Sequence, residues 1–153
     1  MKKIIYIWLV RIVSWLAHFK STDQVIYLMS FADNLDFIRQ LADRLPQRVT
    51  VYYLPGAQAG AKQLAAEGIA TQPFQDSIGF ALHGVPVLTR AADIYLDNYY
   101  AFTAGLTRRP NQRMIQLWHA AGAVKTFGWG DPQTVKRSAG DQRRFQAVYN
   151  QIT

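Results

Sequence analysis

From Val25 to Trp118 the chain alternates between short apolar runs and longer amphipathic stretches, and no other feature restricts its fold as strongly. Val25-Ile26-Tyr27-Leu28-Met29 has the length and β-branched content of a buried strand. Phe31-Ala32-Asp33-Asn34 reads as a turn with an N-cap, and Leu35, Ile38, Leu41, Ala42 and Leu45 recur at helical spacing until Pro46 stops them. Val49 to Leu54 predicts a second strand, Pro55-Gly56 a break, Ala57 to Glu67 a helix ended by Gly68, and Ile69 to Phe74 a weaker third strand. A short helix from Asp76 to Leu82 and a further turn or two from Val85 to Ala92 precede strands at Ile94 to Asn98 and Met114 to Trp118. Strands separated by helices imply an α/β fold in three layers, with a mostly parallel sheet and ligands at the carboxyl ends of the strands.

The 153 residues suffice for one ordinary domain and one core, and with half of them hydrophobic the chain is not a disordered tail. The absence of cysteine removes disulfides and thiolate-bound metals. His18, His83 and His119 are far apart in sequence and share no metal-ligand spacing, so no metal is expected. The dinucleotide, P-loop, hydrolase-elbow and zinc-protease signatures are all missing, and no cofactor is expected either.

The net charge of +7 is concentrated at the two ends. Residues 1–20 carry Lys2, Lys3, Arg11 and Lys20 with no acid, the middle of the chain is acidic, and residues 104–153 carry eight basic side chains against Asp131 and Asp141. Such ends suit anionic partners, whether lipid head groups, a phosphate polymer or a nucleotide. Nucleic acid is disfavoured, because the basic residues are not interleaved with aromatics as in RNA-binding fingerprints.

Ile4 to Phe19 is almost wholly apolar, yet as a helix it would reach about 24 Å, short of a hydrocarbon core of about 30 Å. On a helical wheel Lys3, Arg11, Ser14 and His18 fall within an arc of roughly 80°, leaving Ile5, Trp8, Leu9, Ile12, Trp15 and Leu16 on the remainder. The expectation is an amphipathic membrane-surface helix at residues 1–20, anchored by Lys2, Lys3, Trp8, Arg11 and Trp15, ahead of an α/β domain at 21–153. A secretory signal is the rival, opposed by Arg11 and the lack of a cleavage site; a helix packed on the rest of the protein is the plainer alternative.

The run from Ile115 to Gly128 turns from strand-like residues into a small-residue bend that carries His119 and, six residues on, Lys125. A histidine at a strand end can exchange a proton near neutral pH, and small residues admit a close ligand. Without further context the commoner outcome is a histidine bonded to a neighbouring loop, and Lys125 reads equally well as a solvated lysine.

The segment Trp118-His119-Ala120-Ala121-Gly122-Ala123-Val124-Lys125-Thr126-Phe127-Gly128, preceded by Asp97-Asn98 and followed by Gly130-Asp131, resembles the signature of the CDP-glycerol glycerophosphotransferase family. These are bacterial enzymes that build teichoic acid chains. Many members have Trp-His-Gly-Thr where this chain has Trp118-His119-Ala120-Ala121, so it is similar to an alanine-containing subgroup. The resemblance implies a Rossmann-like, N-terminal, acceptor-side half of a GT-B transferase, with the donor-binding half missing and turnover by this chain alone not expected. It also implies His119 as the acid/base group and Gly122 and Lys125 in the cleft. Lys125 and Arg113 would then neutralise phosphate charge, since ammonium and guanidinium groups suit phosphate oxygens.

The implied partners are a CDP-glycerol or CDP-ribitol donor, a lipid-linked polyol-phosphate acceptor and an anionic bilayer, at the cytoplasmic face of the plasma membrane; an oligomer is compatible with all of these. The competing reading is a non-catalytic peripheral membrane or polyanion-binding module. Arg108-Arg109, Lys136-Arg137 and Arg143-Arg144 are read as solvated faces or, acting together, as the counterpart of a polyanion.

Overall fold

The computed structural model describes residues 2–117 and 139–150. Five strands form one sheet: β1 (Val25–Met29), β2 (Val49–Tyr53), β3 (Ala70–Pro73), β4 (Asp93–Leu96) and β5 (Arg113–Gln116). All four pairings are parallel, in the order β3-β2-β1-β4-β5, so the expected mostly parallel sheet is wholly parallel among the described residues. β1 is buried along its whole length, as its unbroken apolar run requires of a central strand covered on both faces. β3 lies at an edge, where the missing N–H of Pro73 interrupts no ladder.

The helices are α1 (Lys2–Ala17), α2 (Leu35–Arg44), α3 (Gln58–Ala66), α4 (Ile78–Arg90) and α5 (Ala139–Tyr149), with 3-10 turns at Pro55–Ala57 and Ala101–Gly105. Alternation along each strand divides the core in two. Val25, Tyr27, Met29, Val49 and Val51 point toward Ile38 of α2 and Ala61 and Leu64 of α3. Ile26, Leu28, Tyr52, Ile94, Leu96 and Met114 point toward Val10 of α1, Phe80, Val85 and Leu88 of α4, and Phe102. Each fully buried Leu, Ile or Phe contributes about 1.5–3 kcal/mol, so the two layers jointly fix the sheet.

Three local expectations are corrected. Asn34 makes no capping bond to α2; its amide instead donates to the Tyr27 hydroxyl at 3.1 Å. The two short helical pieces expected between Asp76 and Ala92 are the single helix α4, capped by Ser77, whose hydroxyl accepts from Phe80 N–H at 3.1 Å. Ser14, placed on the polar arc of the N-terminal helix, is completely buried. α1 packs against α4 and the 101–105 turn, and its outer side carries exposed Ile4, Ile5, Trp8, Ile12, Trp15 and Leu16.

Candidate functional site

The strand order reverses between β1 and β4, and the carboxyl ends of these two strands define the crevice where doubly wound sheets hold ligands. Met29 is followed there by Ser30 and Phe31, and Leu96 by Asp97 and Asn98. The Asp97 side chain is buried at 1% exposure and reaches back across the gap. Ser30 N–H donates to both carboxylate oxygens at 2.9 and 2.8 Å, Phe31 N–H donates to Oδ2 at 3.0 Å, and Tyr100 O–H donates to Oδ1 at 3.2 Å. The Ser30 and Tyr100 hydroxyls lie 2.6 Å apart, and the Asn98 amide reaches Ser30 Oγ at 3.4 Å. Counting one proton per hydroxyl orders this chain as Asn98 to Ser30 to Tyr100 to Asp97.

Burial pushes the Asp97 carboxyl above the usual carboxylate range, outweighing the donors that favour its ionised form. Desolvation, reinforced by the nearby Asp97 charge, also raises the Tyr27 and Tyr100 hydroxyls, so both stay protonated. The first strand-to-helix loop, whose amides would otherwise be free for a phosphate, thus gives them to an internal anion. The rim beside it, with half-buried Asn34 and Asn98, offers neutral donors and acceptors suited to a hydroxyl-bearing ligand.

β5 ends at this same rim. Gln116 pairs with Leu96, and Leu117 N–H donates to the Leu96 carbonyl at 2.6 Å, one residue before Asp97. His119, Gly122 and Lys125 themselves lie outside the described residues, as do the Lys2 and Lys3 side chains and Lys136-Arg137.

Arg113 is placed at the other end of β5, roughly 10 Å along the strand from Gln116. Its guanidinium forks onto the Asp93 carboxylate at 2.9 and 2.7 Å, and that partner raises its pKa. Arg109 likewise faces backbone: it donates to the Arg90 and Ala91 carbonyls at 2.8 and 2.7 Å and to Lys20 at 3.3 Å. Gln112 adds bonds to the Leu88 and Ala91 carbonyls, so the loop read as a basic patch closes the carboxyl end of α4. His83 is exposed on α4 and lines a separate cleft of about 410 Å³ beside Tyr52 and Phe74. Trp8, Arg11 and Trp15 lie together along α1, with the Arg11 guanidinium 5.2 Å from the Trp8 ring, beside an apolar groove of about 520 Å³ closed by Ala104 to Thr107. No group of metal-ligating side chains occurs among the described residues. The Asp97 hub was not foreseen; a polar pair directly ending a buried strand was its only trace in the sequence.

No family model matches the chain. Among curated proteins it is 50% identical to the teichoic acid glycerol-phosphate primase of Bacillus spizizenii over 56 residues, which is 37% of this chain and 15% of that protein. It is 25% identical to the teichoic acid glycerol-phosphate primase of Staphylococcus aureus over 125 residues, 82% of this chain and 33% of that protein. Over these segments the chain is similar to teichoic acid glycerol-phosphate primases. It is also 47% identical to a teichoic acid poly(ribitol-phosphate) polymerase of Bacillus spizizenii over 36 residues, 24% of this chain and 6% of that protein. The chain therefore spans a third or less of the length of these transferases.

Proposed function

We propose that this domain is the acceptor-side part of a GT-B-type transferase that moves polyol phosphate from CDP-glycerol or CDP-ribitol to a teichoic-acid-type acceptor at the cytoplasmic face of the plasma membrane. The observation that carries the reading is the delivery of the β5 end to the Asp97 rim, directly before the histidine of a segment typical of this family. On this reading His119 accepts the proton of the acceptor hydroxyl as its oxygen attacks the β-phosphorus of the donor. The new oxygen–phosphorus bond forms as the bond to the bridging oxygen breaks, and CMP leaves. Gly122 allows close approach, and Lys125 balances charge on the phosphate oxygens. Arg113 would do so only after releasing Asp93. Membrane attachment is peripheral, through Lys2, Lys3, Trp8, Arg11 and Trp15; no described helix is long and apolar enough to cross a bilayer.

The test is CMP release from CDP-glycerol and CDP-ribitol in the presence of a vesicle-borne polyol-phosphate acceptor, with the intact protein and with the donor-binding half supplied in trans. Release that depends on His119 supports the reading. Vesicle binding with no release under either condition assigns the chain instead to a non-catalytic peripheral membrane module.

A further inference from the structure

In doubly wound sheets the loop leaving the first strand holds phosphate, with free backbone amides and glycines that let the anion come close. The corresponding loop here is Ser30-Phe31-Ala32-Asp33-Asn34, which contains no glycine. Its Ser30 and Phe31 N–H groups point at the end of β4, where Asp97 Oδ2 accepts from both, at 2.8 and 3.0 Å. One carboxylate oxygen thus stands where a phosphate oxygen would. The loop cannot draw back to admit a larger anion: a Cβ on Gly60 of α3 would meet Ala32 at 3.0 Å and Leu35 at 3.1 Å, so the two segments are already in contact.

Charge at this end of the sheet acts in the same sense. The loops leaving β1 to β4, residues 30–34, 54–57, 74–77 and 97–100, carry Asp33, Asp76 and Asp97 and no Lys or Arg. The basic loop residues Lys20, Arg48, Arg108 and Arg109 lie instead on the connections entering β1, β2 and β5, at the opposite end. An anion approaching the crevice meets like charge and, among the described residues, no compensating loop cation.

We infer that Asp97 is a built-in anion that excludes phosphate from the crevice between β1 and β4 and reserves it for the uncharged, hydroxyl-bearing end of a polyol chain. Asn34 and Asn98 are the groups left to recognise that end. Asn34 donates one amide proton to the Tyr27 hydroxyl and Asn98 donates one to Ser30 Oγ, so each keeps a second N–H. The Asn34 carbonyl oxygen has no partner among the described residues. Vicinal hydroxyls, which each donate one bond and accept others, match such primary amides. An inner repeat of a polyol phosphate chain carries phosphate on both sides and is refused, whereas the terminal unit presents an uncharged end. The crevice therefore reads a chain from its free end. Exclusion of phosphate rests on the geometry alone; the choice of a polyol rests on the proposed function.

Binding to the full chain tests this in two arms. In the first, inorganic phosphate is titrated while the Ser30 and Phe31 amides are followed by NMR. The parent should show no saturable shift, whereas Asp97→Ala, which frees both amides, should bind phosphate at least about tenfold more tightly. Asp97→Asn keeps the shape without the charge and should gain less; it decides this arm if the alanine variant does not fold. Phosphate binding by the parent at these amides, or no gain in the folded variants, would overturn the inference. In the second arm, a glycerol phosphate trimer with a free terminal hydroxyl is compared with the same trimer phosphorylated at that hydroxyl. The parent should prefer the free end by about tenfold, and the Asn34→Ala/Asn98→Ala double variant should lose most of that preference. Equal binding of the two trimers would end the case for an end-selective crevice, and a preference kept intact by the double variant would overturn the role given to the two amides. The preference beside failed CMP release would remove the transferase reading alone; CMP release without the preference would remove this inference alone.

Discussion

The hydroxyl of Ser14 lies 2.8 Å from that of Thr89, a residue 75 positions later, in an otherwise apolar seam between α1 and α4. Thr89 donates to the Val85 carbonyl at 2.9 Å, and Ser14 accepts from Thr107 N–H at 2.7 Å. With one proton on each hydroxyl, Ser14 must donate to Thr89, giving one directed relay across three segments. Ser14→Ala leaves the Thr107 amide without its acceptor and should cost about 1–3 kcal/mol. Thermal unfolding should show a melting temperature lower by roughly 2–4 °C for each kcal/mol lost. An unchanged transition would mean that the α1–α4 seam is not held by this relay.

Gly105 marks the other side of the same helix. A Cβ there would meet the Ile7 carbonyl oxygen at 2.7 Å and the Val10 side chain at 3.0 Å, and the Ile7 backbone cannot yield without lifting α1. Gly105→Ala should destabilise by about 1–3 kcal/mol, as overpacking typically does. Gly79→Ala, whose Cβ would have only the Ser77 hydroxyl at 3.8 Å, should instead stabilise α4 by about 0.5–1 kcal/mol. Opposite shifts in denaturant midpoints of the two variants are the expected result.

The order of the apolar runs was readable because a parallel sheet covered on both faces needs largely hydrophobic strands: Val25 to Met29 is unbroken, and Val49 to Tyr53 is interrupted only by Thr50. α4 was harder to read, since Gly84 and Pro86 look like helix breakers. In the fold the Gly84 α-carbon lies against the Phe80 ring, where a Cβ would come within 2.3 Å. Pro86 lacks only the bond to the carbonyl of Leu82, on the exposed side of the helix. Ser14 was misplaced because a helical wheel orders residues around an axis without saying which arc faces the protein. The Asp97 hub depends on partners 66 and 67 positions upstream, beyond any local pattern.

Asp97 makes stability depend on pH with a definite sign. Its folded-state pKa is raised above the ordinary 3.8, so between that value and the raised one the native state binds more protons than the unfolded chain. Stability from this group is therefore greatest below pH 3.8 and falls as pH rises through the raised value. Glu67 works oppositely: its bond to Arg39 lowers its pKa, so its contribution is lost as pH falls below the ordinary carboxylate range. Asp97→Asn should abolish the decline on the alkaline side of pH 3.8 while leaving the acid-side loss intact. Urea midpoints across the acid range would show both slopes, and an unaltered alkaline-side slope would contradict the role given to Asp97.

The two basic candidates flanking the β5 end should separate in a transfer assay. If His119 is the proton acceptor, His119→Ala in the complete enzyme should lower kcat by about 10²–10⁴-fold while leaving the melting temperature unchanged. Arg113 sits at the far end of the strand with its fork on Asp93, and that exposed pair contributes little to folding. Arg113→Ala should therefore change kcat by less than about tenfold, and Asp93→Asn should behave in the same way. A large kcat loss from Arg113→Ala, matched by no loss from Asp93→Asn, would show that the guanidinium leaves Asp93 to contact phosphate during turnover. Equal, modest effects of both variants would leave phosphate neutralisation to Lys125, whose Lys125→Ala variant should then reduce kcat and kcat/KM together.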